Sequence, residues 1–166
     1  MNELEQLYGA IKATFQAALP ENVLVDWQPD LQDGFNLPAV FFAMTDWVPA
    51  DDPGTGVTVI NARFQAVVLT DPTLEKAALQ AAWLSLKLTQ VLRAQYWGLD
   101  FVDTTADVKG GPAPNPALEG FEVFGLEWAQ EIHIGDIEDW PFPEIVNTPV
   151  RLAPAPGEVD VELVAL

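Results

Sequence analysis

The chain has 166 residues, 49% of them hydrophobic, enough for one domain with a real core and too few for two comfortable ones. Asp and Glu number 25 against 7 Lys and Arg, giving a formal net charge of -18, so binding nucleic acid by neutralising its phosphates is disfavoured. The absence of cysteine excludes disulfides, thiolate metal sites and cysteine nucleophiles.

The first residues, Met1-Asn2-Glu3-Leu4-Glu5, lack the basic flank and apolar core of a secretion signal. The longest apolar stretch, residues 37–44, falls far short of the roughly 20 residues that span a bilayer. A soluble, cytoplasmic chain without a membrane segment is expected.

Residues 2–19 place Leu4, Leu7, Ile11, Phe15 and Ala18 on one helical stripe, with Asn2 as cap, Glu5 in the first turn and Pro20 as the stop. Residues 23–27 read as a short strand and 28–36 as a loop carrying Pro29, Asp30, Asp33 and Gly34. Residues 37–48 fit a strand buried on both faces, although periodicity alone leaves a helix open there. After a turn at 49–56, residues 57–69 alternate: Ile60, Ala62, Phe64, Ala66 and Val68 point one way, Asn61, Arg63 and Gln65 the other.

Asp71-Pro72 predicts the start of a second helix running to Tyr96, with Gly98 supplying the left-handed residue that ends it. Its main stripe is Ala77, Ala81, Leu84, Leu88 and Val91. A second shoulder carries Leu79, Trp83 and Leu86, and two apolar faces on one helix predict two neighbours, its own sheet and another subunit. Residues 99–108 read as a short strand and 109–120 as a flexible hairpin loop. Residues 121–134 alternate again, with Phe124, Leu126, Trp128, Ile132 and Ile134 on one face and Glu127, Glu131 and His133 on the other.

The predicted fold is therefore α+β: a mostly antiparallel sheet of four or five strands with two helices packed on one face, spanning residues 1–134. Residues 135–166 read as an extended, proline-rich acidic arm, since prolines 141, 143, 149, 154 and 156 forbid a continuous helix. Trp140 and Phe142 in the arm, and its alternating end with Val159, Val161 and Leu163, are the expected partner contacts, the last three as an edge strand added to a neighbouring sheet.

No catalytic motif emerges. His133, the only histidine, sits on a polar strand face without a positioned nucleophile, and is expected to be a solvated surface residue. Ser85, the only serine, has helical neighbours rather than a strand-to-helix elbow. Asp51-Asp52 and the group Asp136, Glu138 and Asp139 do not follow calcium-loop spacing, and Gly110-Gly111 lacks the lysine and helix start of a phosphate cradle, so a flexible turn is expected there. No metal and no cofactor is predicted. Of the six tryptophans, Trp27, Trp47, Trp97 and Trp128 are expected in or near the core, with Trp83 and Trp140 as interface anchors.

The order of helix, strand pair approached through Leu37-Pro38-Ala39-Val40, long strand, Asp71-Pro72 helix, short strand and final strand resembles the tail terminator proteins of long-tailed bacteriophages, lambda-type and Mu-like. The resemblance covers residues 1–134. It implies a structural virion protein, present in the host cytoplasm during assembly, that forms a homohexameric ring on the tail tube protein. That ring ends tube growth and presents a surface to a neck or head-completion protein. Six copies at -18 each carry -108, and a lumen lined with carboxylates would let genomic DNA pass without specific binding. Competing readings are an acidic DNA-mimic inhibitor, another head-tail connector component, or an α+β enzyme whose tryptophans line a pocket around a perturbed carboxylate.

Overall fold

A computed structural model describes residues 1–27 and 34–135. The chain begins with α1 (Glu3–Ala18), closed at its start by a reciprocal cap: the Glu5 N–H donates to Asn2 Oδ1 at 2.9 Å and the Asn2 N–H to Glu5 Oε2 at 3.1 Å. Leu7, Ile11, Phe15 and Leu19 form its buried stripe, while Leu4, expected to begin that stripe, is exposed. A short strand β1 (Leu24–Asp26) follows, then β2 (Ala39–Pro49) and β3 (Thr58–Thr70).

After the helix α2 (Ala77–Leu92), β4 (Ala106–Pro112), a single 3-10 turn at Pro116–Leu118 and β5 (Glu122–Ile134) complete the described residues. The sheet has five strands in the order β1-β2-β3-β5-β4. β1 runs parallel to β2 and the other three pairings are antiparallel, so the expected α+β class and mostly antiparallel sheet are observed. β3 and β5 pair along their whole lengths, from Thr58 opposite Ile134 to Thr70 opposite Glu122.

Both helices lie on one face of the sheet, over Val40, Phe42, Ile60, Ala62, Phe64, Ala66 and Val68 from β2 and β3 and Leu126, Trp128 and Ile132 from β5. Aromatic rings fill the centre. Phe64 stacks on Trp128 at 5.2 Å, and Phe15 meets Trp97 and Trp128 edge-on at 5.7 and 6.1 Å. A smaller cluster of Ala39, Phe41, Leu69 and Val123 covers the start of β2 from behind, with Phe35 and Phe121 stacked over it.

That double cover extends only through Phe42; from Ala43 to Pro49, β2 is mostly exposed, contrary to the expectation of burial on both faces along its length. A bulge between Met44 and Asp46 shifts the register there, leaving Trp47 opposite Ala62 and Val48 opposite Asn61. Direct partners share a face. Trp47 thus lies on the helix side of the sheet yet stays 59% exposed, and it is not the core residue predicted from sequence.

Three boundaries differ from the sequence expectation. Asp71 does not cap α2: its Oδ1 accepts the Thr73 N–H at 2.9 Å and the Thr73 hydroxyl at 2.6 Å, building a turn that delays the helix to Ala77. The helix also ends earlier, at Leu92 rather than Tyr96, because Gln95 is recruited to the turn after it: its Oε1 accepts the N–H groups of Tyr96 and Trp97 at 3.1 and 2.8 Å. In place of the strand predicted at 99–108, only an isolated bridge joins Val102 to Ile132 before β4 begins at Ala106.

Gly110 and Gly111 are strand residues in β4, not a flexible turn. Their small size is used by the neighbouring strand: a Cβ on Gly110 would stand 3.0 Å from the Gly125 carbonyl oxygen, and one on Gly125 would stand 2.9 Å from the Ala113 Cβ.

Candidate functional site

α2 has two faces with different fates. Ala77, Ala81, Leu84, Ser85, Leu88 and Leu92 are buried against the sheet and α1, which fixes the helix in place. Spacings of four and three residues put Leu79, Trp83 and Leu86 on a common stripe, and this stripe faces outward. Leu79 is 66% exposed, Trp83 47% and Leu86 68%.

Leu74, in the Asp71 turn, extends the stripe beyond the helix start and is also exposed. It lines a shallow apolar groove with Leu79 and Trp83, edged by Glu75, Lys76 and Gln80. Lys87 Nζ lies over the Trp83 ring, 5.9 Å from its centre, within reach of a cation–π attraction. The structure therefore brings the three sequence-predicted packing residues together on one outward apolar face. Among the described residues nothing covers it. Trp140, Phe142, Val159, Val161 and Leu163 lie outside the described residues.

No protein-family model matches the chain, and no curated protein sequence does. Among solved structures there is a similarity to the sheath/tube terminator of PVC, an extracellular contractile injection system, in its extended state. The identity is 12% and the TM-score 0.45, over 93% of this chain and 65% of the terminator chain. So slight a likeness assigns no role.

Beyond the smaller cluster around Phe41, Leu69 and Val123, the opposite face of the sheet is polar. It carries Asn61, Arg63 and Gln65 from β3 and Glu127, Glu131 and His133 from β5, as the alternation predicts. Acids and bases alternate across the strands, with Lys109 Nζ 2.9 Å from Glu127 Oε2 and Arg63 Nε 3.9 Å from Asp46 Oδ1. Both pairs are largely solvated and contribute little to stability.

His133 is not the solvated residue predicted from its strand position. Its side chain is about two-thirds covered, and Nε2 lies 3.2 Å from Glu131 Oε1 and 3.9 Å from Asp103 Oδ2. The sequence places Glu131 beside His133 but carries no sign of Asp103, which arrives through the Val102 bridge to Ile132.

Gln130 is the residue that sequence reasoning passed over. It occupies a core-facing position of β5 between Trp128 and Ile132 and is 2% exposed. Trp97 Nε1 donates to its Oε1 at 2.8 Å, and its Nε2 donates to the Gln95 and Asp103 carbonyls at 3.0 and 2.7 Å. A polar residue at an apolar register position is the signal that would have found it. Ser85, by contrast, is buried on α2 with its hydroxyl unpartnered.

Among the described residues, Glu3 and Asp71 have carboxyls held below their ordinary range. Glu3 is held down by its own N–H at the start of α1 and then by the Gly135 N–H, 3.2 Å from Oε1. Asp71 is held down by the Thr73 hydroxyl and then the Thr73 N–H. Both groups accept backbone N–H groups, Asp71 within its own turn and Glu3 from its own N–H and that of Gly135, which is a structural use of a carboxylate.

Proposed function

We propose that this chain is a structural component of a phage-like tail, assembling through the outward face of α2 into a ring that caps the tail tube, ends its growth and joins it to a neck or head-completion protein. The observation that carries the reading is the Leu79-Trp83-Leu86 stripe: an apolar face, on a helix already anchored by its other side, that no other described residue covers. Two further features support it. The order α1, β1, β2, β3, α2, β4, β5 follows the helix, strand pair, long strand, helix, short strand and final strand by which the sequence resembles tail terminators, although the helix starts at Ala77 and not at Asp71-Pro72, and a chain of net charge -18 would give a ring whose lumen repels DNA. The work is structural and no reaction belongs to it.

The test is a tube-assembly reaction with the purified chain and its cognate tube protein, imaged by electron microscopy. Tubes of limited length ending in a ring with a channel as wide as duplex DNA are expected. Tubes that grow on unaffected by the chain would overturn the reading.

A further inference from the structure

The rim of the polar face gathers three unlike ligating groups. Glu131 and His133 are two residues apart on β5, so their side chains emerge on the same side of the sheet. Asp103 is fixed beside them by backbone bonds, its N–H donating to the Glu131 carbonyl at 3.0 Å while the His133 N–H donates to the Phe101 carbonyl at 2.8 Å. Gln130 Nε2 braces the same segment through the Asp103 carbonyl at 2.7 Å. The three side chains each offer one donor atom, and all three atoms lie within 4.8 Å of one another.

The histidine nitrogen is the telling atom. Nε2 is sealed from solvent yet makes no hydrogen bond, because Glu131 Oε1, though only 3.2 Å away, stands off the ring N–H axis. The arrangement suits an ion on that axis, since carboxylate oxygens sharing a metal with an imidazole must lie to the side of it. With metal-ligand bonds of about 2.0 Å, tetrahedral ligand atoms sit about 3.3 Å apart. The Glu131 oxygen is already there, and the Asp103 oxygen at 3.9 Å needs a small rotation of a side chain that is 67% exposed.

We propose that Asp103, Glu131 and His133 bind a divalent transition-metal ion of the zinc type, with the fourth position open to water. One imidazole and two carboxylates suit such an ion, whereas magnesium and calcium prefer oxygen ligands throughout. The inference stands independently of the assembly reading. Bound metal would add a further tie between the segment after α2 and β5, beside the Val102–Ile132 bridge and the Gln130 hydrogen bonds.

Because His133 is the only histidine, a full chain carrying 15N-histidine reports on one ring. Titration with zinc chloride, followed by long-range nitrogen-proton correlation, is expected to move the Nε2 resonance to a metal-bound position at one equivalent, with excess magnesium chloride failing to compete. Asp103→Asn and Glu131→Gln are each expected to weaken zinc binding by about tenfold or more. An unshifted ring, a shift at Nδ1 instead, undiminished affinity in both variants, or equal competition by magnesium would each overturn the proposal and leave an ordinary ion pair. The wild-type spectrum decides even where a variant folds poorly.

Discussion

Replacing Leu79 and Leu86 together by glutamine separates an assembly face from a face that merely happens to be apolar. Glutamine keeps the helix propensity and approximate length of leucine while abolishing the gain from covering it. Complete burial of a leucine is worth about 1.5–3 kcal/mol. These two residues are 66% and 68% exposed, so a partner has about two-thirds of each left to cover.

The pair therefore contributes about 2–4 kcal/mol to association, or about thirty- to several-hundredfold in the association constant at about 1.4 kcal/mol per tenfold. Stability of the single copy should change by no more than about 0.5 kcal/mol for each exposed substitution. Sedimentation velocity over a concentration series measures the first quantity, and thermal unfolding at the most dilute point measures the second. An unchanged association constant in a double variant that unfolds normally would refute the role given to this face. So would a melting temperature lowered by roughly 10 °C, since that would place both leucines inside the fold of one copy.

Gln130→Leu should cost about 3 kcal/mol or more and lower the melting temperature by roughly 10 °C, because Trp97 Nε1 and the Gln95 and Asp103 carbonyls lose their partner at once; differential scanning calorimetry checks this. Self-association of the wild-type chain should strengthen as salt rises toward about 0.15 M, where the screening length falls to about 8 Å and repulsion between copies of charge -18 shortens. Light scattering across a salt series that showed moderate salt dissolving the assembly would contradict the charge argument. The Glu3 carboxyl has a lowered pKa in the folded chain, so the stability it contributes is fully present above its ordinary value of 4.5 and is lost as pH falls through the lowered one. Protection of the Gly135 amide from hydrogen exchange should fall with it below pH 4.5, and Glu3→Gln should remove that dependence.

The legible parts of the fold are those that local chemistry dictates. Asn2 and Glu5 announce α1 because a cap needs only residues three apart. The period-two alternation of β3 and β5 predicts which side chains face the helices, and the two apolar shoulders of α2 predict that one of them is left over. Asp71 misled because an aspartate satisfies a turn or a helix start with the same oxygen, and the choice was made by the Thr73 hydroxyl beside it.

β4 was hidden for a different reason. A Gly-Gly-Pro sequence has no strand propensity of its own, and it is held extended by β5, whose Gly125 lets the two backbones close together. The bulge that sets Trp47 opposite Ala62 and the polar bracket that Gln130 forms around Trp97 also rest on contacts between distant segments.

Sequence alone thus determined the composition of the layers, the faces of the long strands and the spare stripe on α2, since periodicity and capping are properties of neighbouring residues. Only the tertiary structure decided where α2 begins and ends, that β4 exists, and that Asp103 meets Glu131 and His133. Those outcomes depend on which remote segment supplies a hydrogen-bond partner, and no local pattern encodes that choice.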